Sequence, residues 1–164
     1  MSARTAAIVT TSGIGTLLSA AIVGFSFIMH HANIAAGATD KPTTSVQGSA
    51  AEDAESASVH QALTELANQL NSSLPMRVDE NTRWDSTMAL PGRVLLYSYT
   101  IIGVSPEDFD RRGFESELHG VMTRNYETSP DMEVFRDARV TLVFNYRFEN
   151  GQFAARVEVK PPAR

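Results

Sequence analysis

The residues best suited to chemistry are the carboxylates Asp79, Glu80 and Asp85, which lie within a few positions of Arg83 and Trp84. Two carboxylates that flank one bond can act as acid and base, as in glycoside hydrolysis. Such a pair needs a cleft, and a single-layer sheet in a folded part of about 100 residues leaves little room for one. The sequence therefore predicts no catalytic residue.

A binding role suits the same stretch better, because Trp and Arg are over-represented where proteins contact each other. We therefore predict a partner-binding surface at Asp79, Arg83, Trp84 and Asp85. The alternative is a hairpin with solvated charges, in which Trp84 packs on the sheet.

Other catalytic patterns are missing from the sequence. The chain has no Cys, which excludes disulfides, thiolate metal sites and Cys nucleophiles. His60 and His119 have no Ser or Asp partner at a recognisable spacing, and neither G-x-S-x-G nor a Gly-rich phosphate loop occurs. We expect no enzymatic activity, no metal site and no cofactor. With a net charge of -5 and a pI of about 5.3, we also expect no nucleic-acid partner.

The amino end predicts a membrane anchor. Residues 1–5 carry Arg4, residues 6–30 form an apolar segment, and no charge occurs from Ala6 to Met29. A helix of that length can span a bilayer, and the positive-inside rule leaves the amino terminus in the cytoplasm. We expect a single-pass inner-membrane protein with a periplasmic carboxyl-terminal domain. Small residues four apart allow close contact with another membrane helix: Gly15 with Ser19, and Ala20 with Gly24.

A cleaved signal peptide is the competing interpretation. The motif Ala36-Gly37-Ala38 offers a cleavage site, which would release a secreted or periplasmic protein that begins at Thr39. Residues 31–57 are small, polar and acidic toward their end, which predicts a flexible linker before a folded domain at 58–164.

The helices of that domain follow from apolar spacing and capping residues. Val59, Leu63, Leu66 and Leu70 predict a helix over 58–72. The sequence SPEDFD at 105–110 predicts a helix start in which the acidic residues face the positive end of the helix dipole. A similar signal predicts a short helix over 130–137.

The strands follow from alternation. Thr82, Trp84, Ser86 and Met88 are predicted on one side of a strand that reaches a Pro-Gly turn, followed by a strand over 94–104 that is apolar on both sides. The alternation over 140–149 and 152–160 predicts a hairpin with a two-residue turn at Asn150-Gly151, in which Phe153 faces inward with the apolar residues. Tyr97, Tyr99 and Tyr146 are predicted to form an aromatic core stripe. The order is α-β-β-α-α-β-β, which predicts an α+β fold: an antiparallel sheet of about four strands with helices on one face.

Two stretches carry a resemblance to a known group of proteins. They are LPMRVDENTRWDSTMALPGRVLLYSYT and SPDMEVFRDARVTLVFNYRFENGQ, within residues 73–160, about half of the chain. The chain resembles a widespread set of uncharacterised bacterial envelope proteins. The resemblance implies secretion and a small α+β domain, and it supplies no functional residue.

These observations favour a membrane-tethered extracytoplasmic domain that binds an envelope protein as an accessory subunit of an envelope or secretion assembly. One alternative is a secreted binder or inhibitor, including an immunity-type protein, released after Ala38. Another is a small envelope enzyme with an unrecognised pocket.

Overall fold

The computed structural model describes residues 48–163. The predicted anchor at 6–30 and the cleavage site at Ala38 lie outside the described residues, as do Gly15, Ser19, Ala20 and Gly24. Within the described part, none of the helices combines the length and apolar character needed to span a membrane.

The first helix, α1, spans Gly48–Asn71 and is longer than expected. It begins inside the segment predicted to be a flexible linker. The Ala and Glu residues of that segment are good helix formers, so the helix that is stabilised by the apolar stripe further along extends back through them. Leu63, Leu66 and Leu70 are buried against the sheet, as their spacing predicted. The chain leaves the helix at Ser72 and Ser73.

Five strands form one sheet in the order β1-β2-β3-β4-β5. Their bounds are β1 Met76–Arg77, β2 Thr82–Leu90, β3 Val94–Ile101, β4 Thr141–Phe148 and β5 Phe153–Val159. The prediction of an α+β fold is confirmed. The prediction of a purely antiparallel sheet is wrong, because β3 and β4 pair in parallel. Alternation within a strand reports which side is buried and carries no information about the direction of a strand that returns after a long connection.

That connection, residues 102–140, contains the remaining helices. A short 3-10 helix at Pro106–Asp108 precedes α2, which spans Arg111–Thr128, and a second 3-10 helix at Pro130–Met132 leads into α3 at Glu133–Asp137. The predicted single helix from Ser105 is therefore interrupted. Phe109 adopts extended backbone angles, and the side chain of Asp110 accepts a hydrogen bond from the backbone of Gly113 to begin α2.

The β4-β5 hairpin forms at the predicted place with a different turn. Gly151 has a φ of 82°, and its N–H donates to the carbonyl of Phe148 at 2.8 Å. The loop therefore holds one more residue than the predicted two-residue turn. This pairs Phe153 with Arg147, and a register shift between Tyr146 and Arg147 then restores the predicted pairing of Tyr146 with Ala155. Phe153 is 43% exposed, so its predicted inward orientation is wrong.

A bulge also redirects β2. Trp84 pairs with Tyr99 whereas Ser86 pairs with Ser98, so Asp85 is the extra residue. Before the bulge, Thr82 and Trp84 are buried. After it, Thr87 is buried and Met88 is 55% exposed, which corrects the prediction that Ser86 and Met88 share the side of Trp84.

The core lies between the helices and one face of the sheet. Aromatic rings from neighbouring strands stack across this face: Tyr97 on Phe144 with ring centroids 5.3 Å apart, and Tyr99 on Tyr146 at 4.9 Å. The predicted aromatic core stripe is confirmed. The stacking is a direct result of the parallel register, which places these residues side by side.

Helix side chains hydrogen-bond the backbone at both edges of the sheet. The side-chain amide of Asn71 donates to the carbonyl of Thr87 at 2.8 Å and accepts from its N–H at 2.7 Å. At the opposite edge, a carboxylate oxygen of Glu115 accepts from the N–H of Arg156 at 3.1 Å. Asn71 thus fixes the end of α1 on β2 beyond the short strand β1.

We expect Asn71→Ala to lower the free energy of unfolding by about 1–3 kcal/mol, because it leaves two backbone groups of Thr87 without their partner. Urea denaturation followed by the fluorescence of Trp84 measures this, since Trp84 is the chain's one tryptophan and is buried. The matched control is Asn68→Ala, at an exposed position of the same helix, where we expect little loss or a small gain in stability. Equal effects of both substitutions would contradict the role of Asn71.

Candidate functional site

Arg83 and Asp85, two of the predicted contact residues, meet at the β2 bulge. Arg83 Nε lies 2.5 Å from Asp85 Oδ1, and the hydroxyl of Thr100 donates to Asp85 Oδ2 at 2.6 Å. The side chains of Arg83 and Asp85 are 43% and 28% exposed. Both oxygens of Asp85 are therefore engaged, and the pair presents a half-exposed, hydrogen-bonded polar patch.

Trp84 is a core residue rather than a surface contact, which corrects its predicted role. It is 2% exposed, and its ring centroid lies 5.6 Å from that of Tyr97 and 6.0 Å from that of Tyr99. The indole N–H has an acceptor 3.1 Å away in the hydroxyl of buried Thr87. The Trp84 ring is therefore not accessible from the surface, whereas the side chains of Arg83 and Asp85 on either side of it are partly exposed.

Asp79 lies apart from Arg83 and Asp85. One oxygen accepts from the N–H of Asn81 at 2.7 Å, and the other is buried without a hydrogen-bond partner among the described residues. Asp85 instead accepts hydrogen bonds from Arg83 and Thr100. The two carboxylates therefore have no hydrogen-bond partner in common among the described residues.

Burial raises the pKa of Tyr97, Tyr99 and Tyr146 above the ordinary value of 10.0, because the ionised phenolate would lose its hydration. Burial also raises the pKa of Tyr126, against the opposing charges of Arg136 and Arg139. These hydroxyls stay protonated at neutral pH, so none of them can act as a base there.

The structure adds a cleft that sequence reasoning missed. It has a volume of about 330 Å³ and lies where the 3-10 helix and the start of α2 approach the β4-β5 hairpin. Its lining is rich in aromatic rings and consists of Pro106, Phe109, Arg111, Phe148, Gln152 and Phe153. The break in the predicted helix and the extra residue in the hairpin turn bring these side chains together, and neither was visible in the apolar pattern.

Arg111 closes one side of this cleft. The centre of its guanidinium lies 5.0 Å from the centroid of the Phe153 ring, and Nη2 donates to the carbonyl of Phe153 at 3.4 Å. This cation–π geometry holds an exposed aromatic ring in place at the mouth. The guanidinium of Arg111 and the carboxylate of Glu115, both on α2, thus contact residues of β5.

A second, more open groove lies between α2 and the end of β5. Its volume is about 460 Å³, and its lining includes His119, Thr123, Glu158 and Lys160. Across residues 48–163, no three His, Asp or Glu side chains gather closely enough to hold a metal ion.

The sequence matches no protein-family model and no curated protein. The fold, however, matches solved structures. A crystal structure of a protein from Pseudomonas aeruginosa described as secreted matches at 10% identity with a TM-score of 0.55, covering 63% of this chain and 90% of that one.

Two pilotins of type II secretion systems match as well. The pilotin of Vibrio vulnificus has 13% identity and a TM-score of 0.51, covering 65% of this chain and 92% of its own. The pilotin of Vibrio cholerae has 12% identity and a TM-score of 0.51, covering 66% of this chain and 94% of its own. At these identities the likeness is one of fold.

The buried tyrosines predict a single alkaline transition. Each folded-state pKa is raised above the unfolded value of about 10, so their stabilising contribution is intact below about pH 10 and is lost as the pH rises further. Near-ultraviolet absorbance of tyrosinate should stay flat through about pH 10 and then rise together with the loss of circular dichroism. The same titration in denaturant should give ordinary values. Ionisation of several tyrosines in the folded chain near pH 10 would contradict their burial.

Proposed function

We propose that this chain is a non-enzymatic, membrane-tethered extracytoplasmic domain that binds another protein, as an accessory subunit of a bacterial envelope or secretion assembly. The observation that carries the proposal is the fold, which spans almost the whole length of two type II secretion pilotins. A small domain of this fold is a component of those secretion systems, and we propose that this chain is likewise an accessory subunit.

The tether in this proposal is the apolar segment 6–30, with the amino terminus in the cytoplasm and the folded domain in the periplasm. The charge-free run from Ala6 to Met29 supports it. In this proposal, the segment predicted as a linker lies between the tether and the domain and lets the domain reach its partner.

The arrangement of side chains supports a binding role over catalysis. Asp79 accepts a hydrogen bond from Asn81, whereas both oxygens of Asp85 are engaged by Arg83 and Thr100, so the two carboxylates are not arranged as a free acid-base pair. The buried tyrosines are held neutral by their raised pKa values. His119 lines an open groove with Thr123 and Glu158, and among the described residues no hydrogen bond links its imidazole to either of them, as a catalytic triad would require.

Arg83 and Asp85 are the proposed contact residues of the β2 hairpin. They are hydrogen-bonded to each other and to Thr100, so their positions are fixed before a partner arrives, which lowers the entropy lost on binding. Trp84 supports this patch from the core side. Asp79 contributes by holding the loop that precedes β2.

A second candidate is a secreted binder or inhibitor, including an immunity-type protein, released by cleavage after Ala38. The likeness to a Pseudomonas aeruginosa protein described as secreted favours it. The two candidates share a binding domain and differ in whether the domain stays attached to the membrane.

Purification of the carboxyl-terminally tagged chain from detergent-solubilised membranes tests the proposal. We expect the intact mass of the full chain together with one envelope protein in stoichiometric amount. The double variant Arg83→Ala and Asp85→Ala should reduce recovery of that protein roughly tenfold, which corresponds to about 1.4 kcal/mol.

The matched control is the double variant Glu158→Ala and Lys160→Ala, which removes another exposed ion pair, at 3.3 Å, at the other edge of the sheet. We expect it to leave recovery unchanged. A full-length membrane-bound chain that recovers no partner would refute the proposal. A chain that begins at Thr39 in the soluble fraction would select the secreted alternative.

A further inference from the structure

The aromatic cleft between the 3-10 helix and the β4-β5 hairpin has the size and the packed aromatic floor of a recognition site. Its volume of about 330 Å³ is at the small end of the range for ligand pockets, enough for one or two side chains. The floor is rigid, because Phe109 packs edge-on against Phe148 with ring centroids 5.3 Å apart and against Phe114 at 5.1 Å.

Phe153 supplies the exposed wall of this cleft. Among the described residues, Met88, Val134 and Phe153 are the large apolar side chains that remain exposed. Of these three, Phe153 is the one that lines the cleft. An exposed ring held over a cavity by a stacked guanidinium is pre-organised to bury its surface against an incoming apolar group.

Three carboxylates on and just after the 3-10 helix, here called the acidic rim, adjoin the lining residues of the cleft along the chain. Glu107, Asp108 and Asp110 are all exposed and lie next to the lining residues Pro106 and Phe109. A hydrogen bond from the side chain of Ser105 lowers the pKa of Glu107, which keeps it ionised. Two basic residues follow directly: Arg111 is stacked on Phe153 and Arg112 is exposed, which leaves residues 107–112 with a net charge of -1. A basic group on a partner therefore complements this rim.

We propose that this cleft binds a segment of a partner protein in which an aromatic side chain is flanked by Lys or Arg. The aromatic ring enters between Phe109 and Phe153, and the flanking basic residue contacts Glu107 and Asp108. This inference deepens the proposed function, on which it rests, by naming a second contact surface and the chemistry of the segment that fits it.

Peptide titration of the full chain in detergent micelles, followed by nuclear magnetic resonance of backbone amides, tests this binding. The probe is an acetylated and amidated tripeptide with the sequence lysine, phenylalanine, lysine. We expect saturable shifts at Phe109, Gln152 and Phe153 with weak affinity, on the order of 1 mM. Raising the salt concentration should weaken the binding, because the acidic rim is exposed.

Two control peptides separate the parts of the proposal. Replacing phenylalanine by alanine in the probe should remove the shifts, which tests insertion of the ring. Replacing both lysines by glutamate should weaken binding several-fold or more, which tests the acidic rim. No shift up to about 10 mM probe, or equal binding of all three peptides, would overturn the proposal.

Two protein variants locate the site. Phe153→Ala should weaken binding of the lysine-phenylalanine-lysine peptide at least several-fold without unfolding the chain, because this ring is already partly exposed. Val134→Ala removes a similarly exposed apolar side chain at 47% exposure on α3 and should change nothing. Equal loss from both variants would overturn the assignment to this cleft.

The two proposals fail in different ways. If the native chain recovers its envelope partner, and Phe153→Ala recovers it equally while the peptides bind without selectivity, the cleft proposal fails and the assembly role stands. If the native chain recovers no partner while the peptide binds selectively at Phe153, the cleft binds basic aromatic segments and the assembly role fails.

Discussion

The parallel pairing of β3 with β4 is the constraint on which the rest of the domain depends. It places Tyr97 beside Phe144 and Tyr99 beside Tyr146, so that the largest side chains of the core stack across the middle of the sheet. A parallel pair requires the chain to return to its starting end, and residues 102–140 make that return over the aromatic face. On that path Phe114 of α2 packs edge-on against Tyr146 with ring centroids 5.1 Å apart, and the cleft lies where the return begins.

The sequence was most informative where a pattern depends on one element alone. The stripe of α1 at Leu63, Leu66 and Leu70 was confirmed, and so was the buried side of β4 and β5 apart from Phe153, which is exposed. The direction of β4 relative to β3 was not predicted, because it is decided by pairing between residues far apart in the chain. The sequence signals at Asn150-Gly151 located the hairpin and did not determine its loop length.

Two one-residue irregularities explain most of what the sequence missed at the surface. The bulge at Asp85 turns Met88 outward while Trp84 stays in the core, and the longer loop at Gly151 turns Phe153 outward while Ala155 keeps its predicted place. In both cases the alternation of buried and exposed side chains is interrupted at the irregularity and continues beyond it. The predicted pair Arg83 and Asp85 does meet, since both lie at the bulge. Near the bulge, Trp84 was predicted to be the apolar contact residue, but the exposed apolar residue there is Met88. Phe153, which lines the cleft, lies toward the other end of the strand order.

The bonds from Asn71 to Thr87 and from Glu115 to Arg156 have a consequence for association between copies of the chain. An unprotected sheet edge is a template on which another strand can extend the ladder, and this is a common route to aggregates. Here each edge has backbone groups occupied by a helix side chain of the same molecule. The protection relies on residues outside the polar patch and the aromatic cleft. These two surfaces can therefore change to follow a partner during evolution without making the domain more prone to form fibres.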